Sequence, residues 1–131
     1  MKYDCGFQKE NRWFRYRAGG IIIHDDKMLF VKSSIGDYYY MIGGGVHMGE
    51  ASEKCIEREV FEEAGINASV GHLAVVCENF FKGKGGKIDG LDCHTIEEIK
   101  TSKIKPEFIK EHIDEIINGR QTIHVIEERD R

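Results

Sequence analysis

The segment REVFEEAG, Arg58 to Gly65, constrains the fold of this chain more than any other stretch. An α-helix turns by about 100° per residue, so with Glu59 at zero, Glu62 falls near roughly −60° and Glu63 near roughly +40°. On the same wheel Ile56, Val60 and Ala64 fall at roughly +60°, +100° and +140°. The apolar stripe and the acidic stripe are therefore neighbours. A purely solvated acidic face would more often lie opposite the core. Here the carboxylates sit at the edge of buried surface, where charge is screened less. Two unit charges about 4 Å apart repel by roughly 4 kcal/mol at an effective dielectric of 20. Arg58 cannot neutralise three acids, and the wheel points it to a different side of the helix. A divalent cation can neutralise them. Clustered carboxylates suit Mg²⁺ or Mn²⁺, and without nearby His or Cys pairs zinc is disfavoured. The other reading is an acidic surface turn that binds nothing specific, and these residues alone leave both open.

The rest of the chain reads as a single domain over residues 1–131. Ala18–Asp25 is β-branched and apolar, as expected of one buried strand. Met28–Ser33 returns as a second strand, and Asp37–Ile42 is an aromatic third. Gly43 to Gly45 are expected to end regular structure. A helix follows from Ala51 to Ala64, closed by Gly65. Leu73–Phe81 reads as a strand and Lys82–Gly90 as a turn. A second helix is expected over Pro106–Arg120, with Pro106 at its first position and a stripe of Ile109, Ile113, Ile116 and Ile117. Thr122–Glu127 suits a last short strand. Intermingled strands and helices give an α/β class with a mixed sheet.

Composition narrows the function classes. The net charge of −4 argues against a nucleic-acid polymer as partner, which would need a basic stripe. The N-terminal segment is charged and lacks the apolar run of a signal peptide. No stretch approaches the length of a membrane span. Cys5, Cys55, Cys77 and Cys93 are scattered and contain no C-x-x-C pair, which fits reduced thiols in the cytoplasm.

Gly44 to Ile66, GGVHMGEASEKCIEREVFEEAGI, fits G-x5-E-x7-R-E-U-x-E-E-x-G-U at every fixed position, where U is apolar. Those positions are Gly44, Glu50, Arg58, Glu59, Val60, Glu62, Glu63, Gly65 and Ile66. The run resembles the signature of the Nudix hydrolases, closely from about Arg17 to Ile66, loosely to His94 and weakly beyond. The resemblance implies an α/β/α sandwich and metal-dependent hydrolysis of a diphosphate bond. The substrate would be a small molecule, a nucleoside diphosphate linked to another moiety, with Mg²⁺ or Mn²⁺ as cofactor. By position, Glu59, Glu62 and Glu63 would be metal ligands, joined by the backbone carbonyl of Gly43. Arg58 would pair with Glu50 and hold helix and loop in register. Gly44 and Gly65 would have backbone roles.

The sequence departs from the family pattern in several places. His47 stands where an acidic residue is common, and it lines the pocket or remains a loop-surface residue. Ile42 replaces a frequent proline. Ala51 follows Glu50, which would leave Ser52 to cap the helix. After Thr95 the chain runs straight into Glu97-Glu98-Ile99-Lys100, so the C-terminal half reads as shortened by a piece of sheet. Glu97 or Glu98 would then substitute for an additional acidic ligand. The strand edge left open is expected to be covered by Thr122–Ile126 or by a second subunit in a homodimer. Lys82 and Lys84, in the KGKGGK turn, either cover substrate phosphates or form a solvated hairpin tip. Trp13, Phe14 and Tyr16 either stack a base or pack on the sheet, the commoner use of aromatics there. Cys55, near the acidic face, reads as a packing residue. A nucleotide-binding module without turnover is the alternative to an enzyme. Isomerase chemistry has no paired Cys and Glu to support it.

Overall fold

The computed structural model describes residues 3–33, 38–81 and 88–129. The chain adopts a mixed α/β fold that divides into two compact units. The first combines residues 1–22 with 41–70, and the second combines residues 23–40 with 71–131.

The first unit opens with an antiparallel hairpin, β1 (Gly6–Lys9) and β2 (Arg12–Arg15), in which Phe7 faces Phe14 and Gln8 faces Trp13. Glu10 turns it with a φ of 54°. The chain continues as β3 (Arg17–Gly20), which pairs antiparallel with β7 (Ile42–Gly45). Gly43 and Gly44 thus continue a strand instead of ending it. Their bare backbones allow the close pairing. A Cβ on Gly43 would run into the Ala18 carbonyl, and one on Gly44 into the Glu59 carboxylate.

Helix α1 (Ser52–Ala64) lies on β3 and β7. It buries Cys55, Ile56 and Val60 beside Ile42 and Val46. Ala51, not Ser52, is the N-cap residue, and no side chain caps that end. Ser52 already has helical geometry, so its hydroxyl is past the capping position. Gly65 closes the helix in the left-handed region, φ 69°, and its N–H donates to the Phe61 carbonyl.

In the second unit β4 (Ile23–His24), β5 (Lys27–Ser33), β6 (Tyr39–Tyr40), β9 (Ile88–Thr95) and β10 (Ile104–Lys105) form a mixed sheet around β5. β10 runs parallel to β6, and the other pairs are antiparallel. The single strand expected over Ala18–Asp25 is therefore two strands in different pairings, β3 and β4. The expected third strand is likewise divided between β6 and β7, and its start at Asp37 lies outside the described residues.

Between β9 and β10 lies α2 (Ile96–Thr101), closed by a capping box: Thr95 Oγ1 accepts the Glu98 N–H, and Glu98 Oε1 accepts the Thr95 N–H. Helix α3 (Phe108–Asn118) begins two residues after Pro106. It buries Phe108, Ile109, Ile113 and Ile116, while Ile117 is 38% exposed and leaves the expected stripe. β11 (Ile123–Arg129) runs parallel beside β8 (Val75–Phe81), so Thr122–Ile126 supplies most of a strand that covers an edge of β8. No helix among the described residues is long and apolar enough to cross a membrane.

Candidate functional site

The first unit holds all five side chains that the motif singles out, on α1 and the loop before it. Arg58 is their hub. Its Nε donates to Glu50 Oε2 at 2.9 Å and its Nη2 to Glu50 Oε1 at 3.0 Å, so the two planar groups meet side by side. Nη2 also donates to the Gly45 carbonyl at 3.2 Å, fastening α1 to the end of β7. The expected pairing of Arg58 with Glu50 is present.

Arg58 does not keep to its own side of the helix. Its Nη1 reaches Glu59 Oε1 at 2.9 Å and Glu62 Oε2 at 3.3 Å. A helical wheel fixes the Cα–Cβ direction only, and the long arginine stem carries the guanidinium round to the acidic face. These contacts lower the charge around Glu50, Glu59 and Glu62 but leave Glu63 without them.

Burial then sorts the acids. The Glu59 side chain is 14% exposed and the Glu62 side chain 54%. Glu63 Oε2 is buried with no hydrogen-bond partner. Burial pushes the Glu63 carboxyl up to about 7, and the negative Glu59 beside it adds to the shift, while Arg17 on β3 opposes it. At the other extreme, hydrogen bonds from Arg58 and from the His47 N–H hold Glu50 down at about 2. Hydrogen bonds to Glu50 and Glu59 hold Arg58 above the usual arginine range.

The loop adds a further tie. The His47 imidazole lies between Asp4 Oδ1, 3.5 Å from its Nε2, and Glu50 Oε1, 4.0 Å from its Nδ1. Asp4 and His47 also form a β-bridge. Neither Asp4 nor Arg17 stands out in the sequence. Both lie in a charged N-terminal stretch whose pairing with the motif loop depends on the tertiary fold. Cys55 is a packing residue, as its place beside the acidic face suggests. Its Sγ lies against the Gly44 and Gly45 carbonyls, and burial pushes the thiol up to about 11.

Glu97 and Glu98 have partners within their own unit. Glu98 spends its carboxylate on the capping box, and Glu97 lies 3.8 Å from Lys100. Trp13, Phe14 and Tyr16 stay partly open to solvent, although Phe14 packs against Phe7 of β1. They are 64%, 56% and 45% exposed, on and just after β2. Lys82 and Lys84 lie outside the described residues.

Among the described residues no three His, Cys, Asp or Glu side chains already converge as a metal centre. Arg58 Nη1 contacts both Glu59 and Glu62. The donor set nevertheless fits a hard divalent cation: two carboxylates side by side, with one oxygen buried and unpartnered.

Comparison with known proteins agrees with the motif. The family model for the NUDIX domain matches residues 13–118. A MutT-like protein of Streptomyces ambofaciens is 25% identical over 105 residues, covering 76% of this chain and 68% of that protein. Among solved structures, a UDP-X diphosphatase superposes with a TM-score of 0.61 at 20% identity. That match covers 83% of this chain and 65% of the other, so this chain spans about two thirds of that protein's length. A NUDIX hydrolase from Nitrosomonas europaea gives a TM-score of 0.65 at 17% identity, over 86% of this chain and 78% of that one. At these identities the structural matches speak for the fold. The match over residues 13–118 covers most of the chain, which therefore belongs to the NUDIX domain family, the family of the Nudix hydrolases.

Proposed function

We propose that this chain hydrolyses a diphosphate bond in a nucleoside diphosphate linked to another moiety, using Mg²⁺ or Mn²⁺. The observation that carries the reading is the Glu59–Glu63 pair, in which a partly buried carboxyl with one buried, unpartnered oxygen lies against a second acid. Such a pair is costly unless protonated or bridged by a cation. Glu59, Glu62 and Glu63 would hold the metal, with the Gly43 carbonyl beside them. When bound, a divalent metal neutralises diphosphate oxygens and makes a coordinated water more acidic.

The chain's own residues prepare the site. Glu50 keeps Arg58 through two hydrogen bonds, so the half-exposed contact of Arg58 with Glu62 can open without releasing the guanidinium. Gly44 leaves room for the Glu59 carboxylate against the strand. Glu63, raised to about 7, is only part-protonated at neutrality, and a bound cation would displace that proton. Likeness to a UDP-X diphosphatase and to a MutT-like protein supports a nucleotide as the small-molecule substrate.

The second reading is a nucleotide-binding module that does not turn over. It is favoured by Glu98, whose use as a helix cap removes one candidate for an additional acidic ligand. A panel of nucleoside triphosphates, nucleotide sugars and ADP-ribose with Mg²⁺ or Mn²⁺, assayed for released phosphate or monophosphate, separates the two. Turnover of one class supports hydrolysis. Tight binding across the panel without product supports the module.

A further inference from the structure

The segment ahead of β1 holds the motif loop from outside. The Cys5 N–H donates to the Val46 carbonyl at 2.7 Å, and the Met48 N–H donates to the Tyr3 carbonyl at 2.7 Å. Between these bonds Asp4 and His47 form an antiparallel bridge. Side chains two apart on extended chain share a face, which puts the bare face of Gly45 beside His47. A Cβ on Gly45 would run into Asp4, and the three atoms nearest to it all belong to the Asp4 carboxylate. The missing side chain therefore leaves Asp4 room to reach His47, with 3.5 Å between its Oδ1 and the ring Nε2.

Both ring nitrogens of His47 then face carboxylates. Nε2 meets Asp4, Nδ1 lies 4.0 Å from Glu50 Oε1, and the His47 side chain is only 18% exposed. The backbone tightens the second contact. The His47 N–H donates to Glu50 Oε1 at 3.1 Å, and the Glu50 N–H donates to the His47 carbonyl at 3.0 Å. That same Glu50 Oε1 accepts from Arg58 Nη2 at 3.0 Å. An imidazole has no third nitrogen to offer a phosphate. The ring is placed as a spacer between two acids, not as a substrate ligand.

We propose that Asp4 and His47 are positioning residues for the carboxylate site. Asp4 sets the His47 ring, the ring and its own N–H set Glu50, and Glu50 presents Arg58 to Glu59 and Glu62. The Asp4 side chain is 57% exposed, and exposed ion pairs add little to stability. Removing its charge should therefore change orientation and leave the fold standing. The kinetic arm of the inference rests on the hydrolase reading, and the spectroscopic arm does not.

The test reads Arg58 directly. Its Nε–H donates to Glu50 Oε2 at 2.9 Å, so in ¹⁵N-labelled metal-free protein that side-chain signal should exchange slowly with water. Its absence in Arg58→Lys assigns it. Asp4→Asn removes the charge, and Gly45→Ala keeps Asp4 but fills the space of its carboxylate. We expect both to melt with the wild type and to speed exchange of the Arg58 Nε–H. Both should also lower kcat at least about threefold, with KM held, on whichever substrate the wild type turns over. Combining the two should add little, because each acts by releasing His47. His47→Glu, which puts a third carboxylate between Asp4 and Glu50, should lose more than His47→Gln. An active wild type whose Asp4→Asn and Gly45→Ala variants match it in exchange or in kcat would overturn the proposal and leave the hydrolase reading intact. If the wild type turns over no substrate, faster exchange in both variants still upholds the hold on Arg58, and the hydrolase reading falls alone.

Discussion

Arg58 and Glu50 meet side by side, with two parallel hydrogen bonds of 2.9 and 3.0 Å joining the first helix to the loop before it. Lysine cannot reproduce that geometry, because an ammonium is a point charge on a flexible stem. Arg58→Lys should therefore cost about 1–3 kcal/mol of stability. The check is the urea midpoint of the variant against wild type. Acid adds a second arm. Glu50 is held at about 2, below its ordinary 4.5, so its stabilisation is present above pH 4.5 and is lost as pH falls towards 2. Glu50→Gln should flatten that part of the wild-type stability profile.

Glu63 has the opposite sign. Its carboxyl is raised from 4.5 to about 7, so the folded state binds the proton more tightly than the unfolded chain does. Without metal, its contribution is fully present below pH 4.5 and is lost as pH rises through 7. Glu63→Gln keeps a neutral group there and should be more stable than wild type at pH 8 in chelator. With Mn²⁺ present the order should reverse, because the cation replaces the proton in wild type only. Thermal melts of both proteins at pH 5 and pH 8, with chelator and with Mn²⁺, read this directly.

Gly44 and Glu59 make a separate test. A methyl group at Gly44 would occupy the space of the Glu59 carboxylate, the movable end of a side chain. Gly44→Ala should therefore displace Glu59, with activity falling at least about tenfold, while stability changes by only about 1 kcal/mol. Gly43→Ala meets the Ala18 backbone carbonyl instead and should lose stability outright. Activity and urea midpoints, measured on both variants, separate the two effects.

The first helix was legible in the sequence because its stripe, its glycine stop and its motif agree. Ile56 and Val60 are buried, Gly65 is left-handed, and Glu59 and Glu63 sit at the edge of the core. What escaped depends on long-range pairing. Gly43 and Gly44 look like strand breakers by propensity, yet β3 needs their bare backbone opposite it. Ala18–Asp25 reads as one apolar strand, but its two ends belong to different pairings. The direction of the Arg58 side chain follows from its partners and not from its place on a wheel. Asp4 and Trp13 carry no motif, and the hairpin that holds Trp13 alternates too briefly to be read as a strand pair.

Whether the carboxylates of the first helix hold a divalent metal that drives diphosphate hydrolysis can be measured directly. The assay is the Mg²⁺-dependent release of monophosphate or phosphate by wild type, Glu62→Gln and Glu63→Gln under identical conditions. We predict wild-type turnover that disappears in chelator and falls at least about 10² in each variant, with the fold retained. Variants that turn over as fast as wild type would contradict the metal assignment.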